Sequence, residues 1–239
     1  MRILITGGAG FIGSHTADAL LARGHAVRLL DNLQHPVHLK GKPTYLSPAN
    51  EFVYGDVRDP NVLLYALQGI DAVYHLAAYQ DYLPDFSTYF DVNAVSTARL
   101  YELIVAHKLP VQRVIVASSQ AVLGEGLYLC GEHGQTIPDI RVEAQLARGE
   151  WEHRCRICQL PMTPLPTPEA SINPQNQYAL SKQLDRIDRR QPRAALRHSI
   201  GGDALLDRAG PATVVLQCLL GRHADLRPSS LLRALSNAL

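Results

Sequence analysis

"ILITGGAGFIGSHTADALLARGHAVRLLDN", residues 3–32, decides the fold. An apolar run from Ile3 to Thr6 meets three glycines, Gly7, Gly10 and Gly13. A helical stretch from about Ser14 to Arg23, a turn at Gly24 and a second apolar run from Ala26 to Leu30 follow. The order is strand, loop, helix, turn, strand, a βαβ unit. Its glycine spacing lets the chain turn tightly, admits a pyrophosphate close to the backbone and seats the helix against the strand. The amides around Phe11, Ile12 and Gly13 and the positive end of the helix dipole face the phosphates. Asp31, at the end of the second strand, is placed to accept from the adenosine ribose, and its charge repels a 2′-phosphate, so NAD is expected over NADP.

The same rhythm continues. "EFVYGDVRD" (51–59), "DAVYHLAA" (71–78) and "VQRVIVASSQAVLG" (111–124) each read as a strand separated from the next by a helical stretch. That is the pattern of a parallel sheet covered on both faces, with functional groups at the strands' C-terminal ends. Asp56, Ala77, Ser118 and Ser119 fall there. With 239 residues, 46% of them hydrophobic, the chain can bury one large core with an appendage. A net charge of +1 gives no field favouring nucleic acid or an acidic membrane. The first residues show no leader pattern and no run reaches membrane-spanning length, so a cytoplasmic protein is expected.

These motifs, with "TGGAGFIG" (6–13), "DN" (31–32), "GDVRD" (55–59), "HLAA" (75–78), "VNAVSTARL" (92–100), "ASSQAVLG" (117–124) and "YALSK" (178–182) in this order, resemble the extended short-chain dehydrogenase/reductases of the NAD-dependent nucleotide-sugar epimerase/dehydratase group. The resemblance implies a doubly wound, Rossmann-type parallel sheet and a nucleotide-sugar substrate. It places Gly7, Gly10 and Gly13 on the pyrophosphate, Asp31 and Asn32 on the adenine ribose, Asp56 and Val57 on the adenine, and Ala77 beside the nicotinamide ribose. Asn93 would steady the active-site backbone, against an equal expectation of a helix-surface amide. A homodimer through the tyrosine-bearing helices is implied as well.

Tyr178 and Lys182 lie one helical turn apart. A phenol with a pKa near 10 is a poor base at neutral pH, and a lysine on the same helix face favours the phenolate. The resemblance adds a lysine bond to the nicotinamide ribose and gives Ser119 the substrate hydroxyl, with Tyr178 as base. In the family's pattern, dehydratases carry an acidic pair just after the serine. Here Gln120 and Ala121 stand there, neither able to act as a general acid. The expectation is therefore an epimerase that oxidises its sugar transiently on tightly bound NAD. A dehydratase or dehydrogenase of the same family, or a truncated NAD-binding protein without catalysis, is the alternative.

Between serine and tyrosine, Cys130-x-x-His133 and Cys155-x-x-Cys158 form two ligand pairs about twenty residues apart, the spacing of a zinc ribbon. Three thiolates and an imidazole would close a structural zinc site, with His153 the rival imidazole and residues 142–153 helical. The expected organisation is an NAD-binding domain from 1–127 and 170–182, a cysteine-rich insertion at 128–169, and an atypical segment 183–239. That last segment holds a candidate sheet strand near 212–217. It contains no lysine, glutamate or aromatic residue, whereas every aromatic of the chain lies at or before Tyr178. Such a shift of composition points to a truncated or frame-shifted end. The charged run 186–199 alternates in sign without aromatics, reading as a solvated helix face rather than a nucleic-acid patch.

Overall fold

The computed structural model describes residues 1–184 and the backbone of a strand at 212–216. Its main sheet is formed by β1 (Arg2–Thr6), β2 (Ala26–Asp31), β3 (Glu51–Tyr54), β4 (Ala72–His75), β5 (Arg113–Ala117) and β9 (Ala212–Leu216). The order is β3-β2-β1-β4-β5-β9, and every pairing is parallel. Helices α1 (Phe11–Leu21), α2 (Pro60–Leu67), α3 (Phe86–Phe90), α4 (Ser96–Ala106) and α6 (Gln177–Leu184) accompany it, and a π-type turn at Asp91–Val95 joins α3 to α4.

The alternation of strand side chains builds two cores. Ile3, Ile5, Leu29, Tyr74 and Ile115 point to the face that packs with Ala17 and Leu20 of α1. Leu4, Leu30, Val73, Val114 and Val116 point to the other, with Leu63 and Leu67 of α2 and Leu100 and Ile104 of α4. Strands apolar on both faces are what a covered parallel sheet requires. Each such side chain removed from water contributes about 1.5–3 kcal/mol. One charge sits inside this frame for a reason: Arg28 of β2 donates to Ala66 O at 2.8 Å and Gln68 O at 3.0 Å, satisfying carbonyls at the end of α2, and pairs with Glu51 at 2.9 Å.

Helix α1 begins three residues earlier than the sequence suggests. Gly10 is extended and its carbonyl accepts from Ser14 N at 2.9 Å, so Phe11, Ile12 and Gly13 form the first turn. The insertion contains a small antiparallel sheet, β7-β6-β8, from β6 (Leu127–Cys130), β7 (Gly134–Thr136) and β8 (Thr163–Leu165). The helix expected over 142–153 is only α5 (Glu143–Ala147). Gly149 takes φ +74°, and the Gln145 side chain turns back to donate to the carbonyls of Glu150 and Glu152. The remainder of the C-terminal segment, residues 185–211 and 217–239, lies outside the described residues, and the charged run 186–199 falls wholly within it. Among the described residues no helix is long and apolar enough to cross a membrane.

Candidate functional site

Two of the glycines are required by close approach. Gly7 has φ +66°, and a Cβ there would stand 2.8 Å from Ala77 N. A Cβ on Gly13 would meet Gly7 O at 2.2 Å. The result is a bare loop against the end of β4, followed by the first-turn amides of Phe11, Ile12 and Gly13, which have no intrahelical acceptor. Beside it opens a cleft of about 200 Å³ lined by Gly7, Gly10, Asp31, Asn32, Asp56, Val57 and Ala77, among others. Seven of the residues expected to hold the dinucleotide are thus brought together. Phe11, Ile12 and Gly13 adjoin the cleft through the helix start and do not line it.

The acidic residues of this cleft are held by the backbone. Asp31 accepts from Ala9 N at 2.9 Å and Leu33 N at 2.8 Å, one bond per carboxylate oxygen, which leaves lone pairs for a ribose. Asn32 donates to Asp56 at 2.9 Å, so it orients the neighbouring carboxylate. Burial opposes the charge on Asp56, but bonds from the Arg58 side chain and backbone and from Asn32 outweigh it and bring the carboxyl down to about 2. Asp56 is therefore a fixed anion at the rim. Such a bare cradle, with free amides on one side and an anchored carboxylate on the other, fits a dinucleotide and leaves no room for side chains in its place.

A second group gathers at the end of β4 and β5. Asn93 is buried in the π-type turn, accepts from Tyr79 N at 2.7 Å, and donates to Tyr79 O at 3.0 Å and to Ser181 Oγ at 2.9 Å. It is no surface amide. It ties the loop after β4 to α6 between Tyr178 and Lys182. Lys182 is only 3% exposed, and Tyr178 is half-buried against the main core. Helix α6 packs on the 3-10 turn Gln120–Leu123, whose N-cap is Ser119. Ser119 Oγ accepts from Ala121 N at 3.1 Å, so its hydroxyl proton remains to be given elsewhere. Helix α6, carrying Tyr178 and Lys182, thus packs on the turn that Ser119 caps, and none of the three residues is in the lining of the cleft.

Sequence reasoning missed the groups beneath these. Thr6 Oγ1 accepts from Leu76 N and Ala77 N and contacts His75 Nδ1 at 2.9 Å. His75 Nε2 meets Ser96 Oγ at 3.0 Å, and Ser96 in turn donates to Val92 O. With Thr6 and Ser96 so committed, the ring is neutral and carries its proton on Nε2. Burial drives its pKa down to about 3, and the nearby Lys182 charge pushes the same way. Ser118 Oγ, at the end of β5, is buried without a hydrogen-bond partner among the described residues. A histidine closing an otherwise apolar strand was the available signal for the first. Ser118 was legible as a strand-end serine, and nothing local distinguished Ser96.

The cysteine-rich region holds a third group. Cys130, His133, Cys155 and Cys158 present ligand atoms within 4.8 Å of one another. Cys130 Sγ stands 3.6 Å from Cys158 Sγ and 3.6 Å from His133 Nδ1, and Cys155 Sγ is 3.6 Å from the same nitrogen. A tetrahedron with metal–sulfur bonds of about 2.3 Å and a metal–nitrogen bond of about 2.0 Å has edges near 3.8 Å and 3.6 Å. The donor set fits a closed tetrahedral ion. The His133 hydrogen bond draws the Cys130 thiol down to about 6, towards the thiolate a metal binds. His153 is not a ligand candidate in the fold: it is 3% exposed, bonded through Nε2 to Glu125 at 2.6 Å and edge-on to Tyr128.

The chain is similar to known proteins in sequence and in fold. Residues 3–139 match the model of the NAD dependent epimerase/dehydratase family. The dTDP-L-rhamnose 4-epimerase of Burkholderia thailandensis is 35% identical over 158 residues, 63% of this chain and 43% of that protein. The UDP-glucose 4-epimerase of Halalkalibacterium halodurans is 35% identical over 163 residues, 65% of this chain and 46% of its own length. The structure is similar to a UDP-glucose 4-epimerase from Brucella ovis in complex with NAD, with a TM-score of 0.58 and 25% identity, covering 90% of this chain and 51% of that one. The chain spans less than half the length of those two curated relatives. A matched stretch longer than half the chain, running from β1 through the glycine cradle and β5 into the insertion, makes this protein a member of the NAD dependent epimerase/dehydratase family.

Proposed function

We propose that this chain is the NAD-binding, catalytic part of a nucleotide-sugar 4-epimerase. The observation that carries the reading is the seating of α6, with Tyr178 and Lys182, against the turn capped by Ser119, beside a cradle that only glycine can form. The names of the two curated relatives support the substrate class. NAD, which Gly7, Gly10, Gly13 and Asp31 would hold, would supply the hydride acceptor and donor for the sugar carbon. The chain's own residues do the rest. Ser119 donates a hydrogen bond to the oxygen of the sugar hydroxyl, keeping its own proton, and holds that hydroxyl in place. Tyr178 takes the proton from that hydroxyl, and the buried ammonium of Lys182, one turn later, favours the phenolate that can do so. His75 stays neutral at the end of β4 and so adds no second positive charge beside Lys182.

In this reading Asp31 carries the adenine ribose, and Cys130, His133, Cys155 and Cys158 hold a structural Zn²⁺ in the insertion. Because the chain spans about half of its relatives, a protein that binds NAD without turning over a sugar is the second reading. One experiment separates the two. The purified 239-residue chain is assayed for bound NAD and incubated with UDP-glucose, UDP-galactose and dTDP-L-rhamnose, with epimers read by NMR. NAD together with a Tyr178-dependent epimer supports the proposal. NAD without any epimer supports the second reading, and absence of NAD from soluble, compact protein defeats both.

A further inference from the structure

We infer that the metal-bearing insertion is a clamp on the loop that follows the catalytic serine, with Glu125 as its positioning residue. This rests on the zinc assignment above and not on the epimerase activity. Glu125 lies two residues beyond the turn capped by Ser119. Its Oε2 receives His153 Nε2 at 2.6 Å and Arg141 Nη2 at 3.3 Å, and Arg141 also donates to Trp151 O at 2.9 Å. His153 is two residues from the ligand Cys155, and its carbonyl accepts from Met162 N at 2.8 Å. The metal is thus connected to the loop through one buried imidazole.

The flanking glycines make the loop sensitive to that connection. Gly124, at φ +63°, leaves so little space that a Cβ would lie 2.4 Å from Asn173 O, and Asn173 N donates to Val122 O at 2.8 Å. Asn173 precedes Tyr178 by five residues. Gly126, at φ +89°, lies against Thr167, whose Oγ1 accepts from Leu127 N at 2.9 Å. The chains leading to Ser119 and to Tyr178 therefore meet where the insertion is fastened.

The insertion has little else to hold it. Its buried apolar cluster among the described residues is Tyr128, Met162 and the ligands Cys130 and Cys155, with Cys158 packed alongside. Three of five are thiols, so the ion takes the place of a core too small to fold unaided. The cradle of Gly7 and Gly13 follows β1, two strands from β5, and neither glycine belongs to this cluster. Loss of metal should loosen the serine loop while sparing the cradle.

The test uses the full chain, with metal content per chain measured first and amide hydrogen exchange second. About one zinc per chain is expected, with Co²⁺ substitution giving a tetrahedral thiolate spectrum. Removal of the ion with a chelator should speed exchange in peptides 119–126 by about 10-fold or more, as for a lost charge-assisted bond, with 2–31 unchanged. Glu125→Ala should keep its zinc yet show the same loosening of 119–126, and Glu125→Gln, which still accepts from His153, should restore part of the protection. Zinc present with 119–126 indifferent to both chelation and Glu125→Ala overturns the clamp and leaves the zinc assignment standing. A soluble chain with reduced thiols and no affinity for Zn²⁺ overturns the zinc assignment itself and the clamp with it. Equal loosening of 2–31 after chelation would make the ion a staple of the whole fold and also overturn the clamp.

Discussion

Acid should destabilise this fold through His75 earlier than through Asp56 at the cleft. The ring is 2% exposed, its Nδ1 faces the Thr6 hydroxyl and its Nε2 faces Ser96 Oγ, so a second proton has no acceptor. Burial, with the Lys182 charge, holds the folded pKa at about 3. In the unfolded chain the ring titrates near its ordinary value of about 6.5. Between those two values the unfolded state binds a proton that the folded state refuses. The stability contributed is therefore complete above about pH 6.5 and is lost progressively as the pH falls towards 3. From pH 7.5 to pH 5.5 the loss through this ring alone is about 1.4 kcal/mol. Asp56, depressed to about 2, has the opposite group chemistry and loses its share only as the pH drops from about 4 towards 2, below that window. Urea unfolding followed by far-ultraviolet circular dichroism at both pH values, for the wild type and His75→Gln, isolates the term, because every other titration cancels in the difference. A wild-type loss exceeding that of His75→Gln by about 1.4 kcal/mol is expected. Equal pH dependence in the two proteins would falsify the buried neutral ring.

Four substitutions test other parts of the structure. Gly13→Ala drives a Cβ into Gly7 O, a backbone atom that cannot step aside, and should weaken NAD binding by about 10-fold or more in calorimetry; an unchanged Kd would mean the loop is not the pyrophosphate cradle. Asp31→Asn removes the charge that disfavours a 2′-phosphate, so the ratio of NAD to NADP affinity should fall by about 10-fold, measured in the same titrations, and an unaltered ratio refutes the ribose assignment. Tyr178→Phe should lower epimer formation by about 10²–10⁴-fold while NAD content stays at the wild-type level, since the phenol acts on the sugar proton alone. Arg28→Met leaves the Ala66 and Gln68 carbonyls without their donor inside the sheet and should cost about 1–3 kcal/mol in denaturant unfolding, whereas a change within error would show that water replaces it.

How far each part could be read in advance depends on the reach of the interaction that fixes it. The βαβ unit of residues 3–32 is local: an apolar strand, glycines at fixed spacing and a helix are contiguous, and the collision that demands Gly13 is with Gly7, six residues away. The glycines of the loop hide the start of α1, which the sequence suggests at about Ser14, while the extended Gly10 already closes the first helical bond to Ser14 N. Asn93 is ambiguous in the sequence for the opposite reason. Its partners are Tyr79 and Ser181, the second of them 88 residues on, and only the folded chain separates a surface amide from a buried brace.

The two imidazoles of the insertion carry the same lesson into the metal site. Spacing admits His133 and His153 alike as the fourth ligand beside three cysteines, because a ribbon loop needs only a donor at the right offset. What separates them is Glu125. It lies on the far side of β6 in sequence, 28 residues before His153, and takes that ring's Nε2, while the turn between β6 and β7 carries His133 to within 3.6 Å of both Cys130 and Cys155. The residue excluded from the metal is not idle. In the proposed clamp, a histidine next to a ligand pair that has a carboxylate of its own would transmit the position of a bound ion to the loop bearing that carboxylate, as an imidazole bound to metal could not do through the same nitrogen. The competition between the two rings is therefore settled by Glu125, which takes one of them and lies on the loop that adjoins the serine rather than in the cysteine cluster.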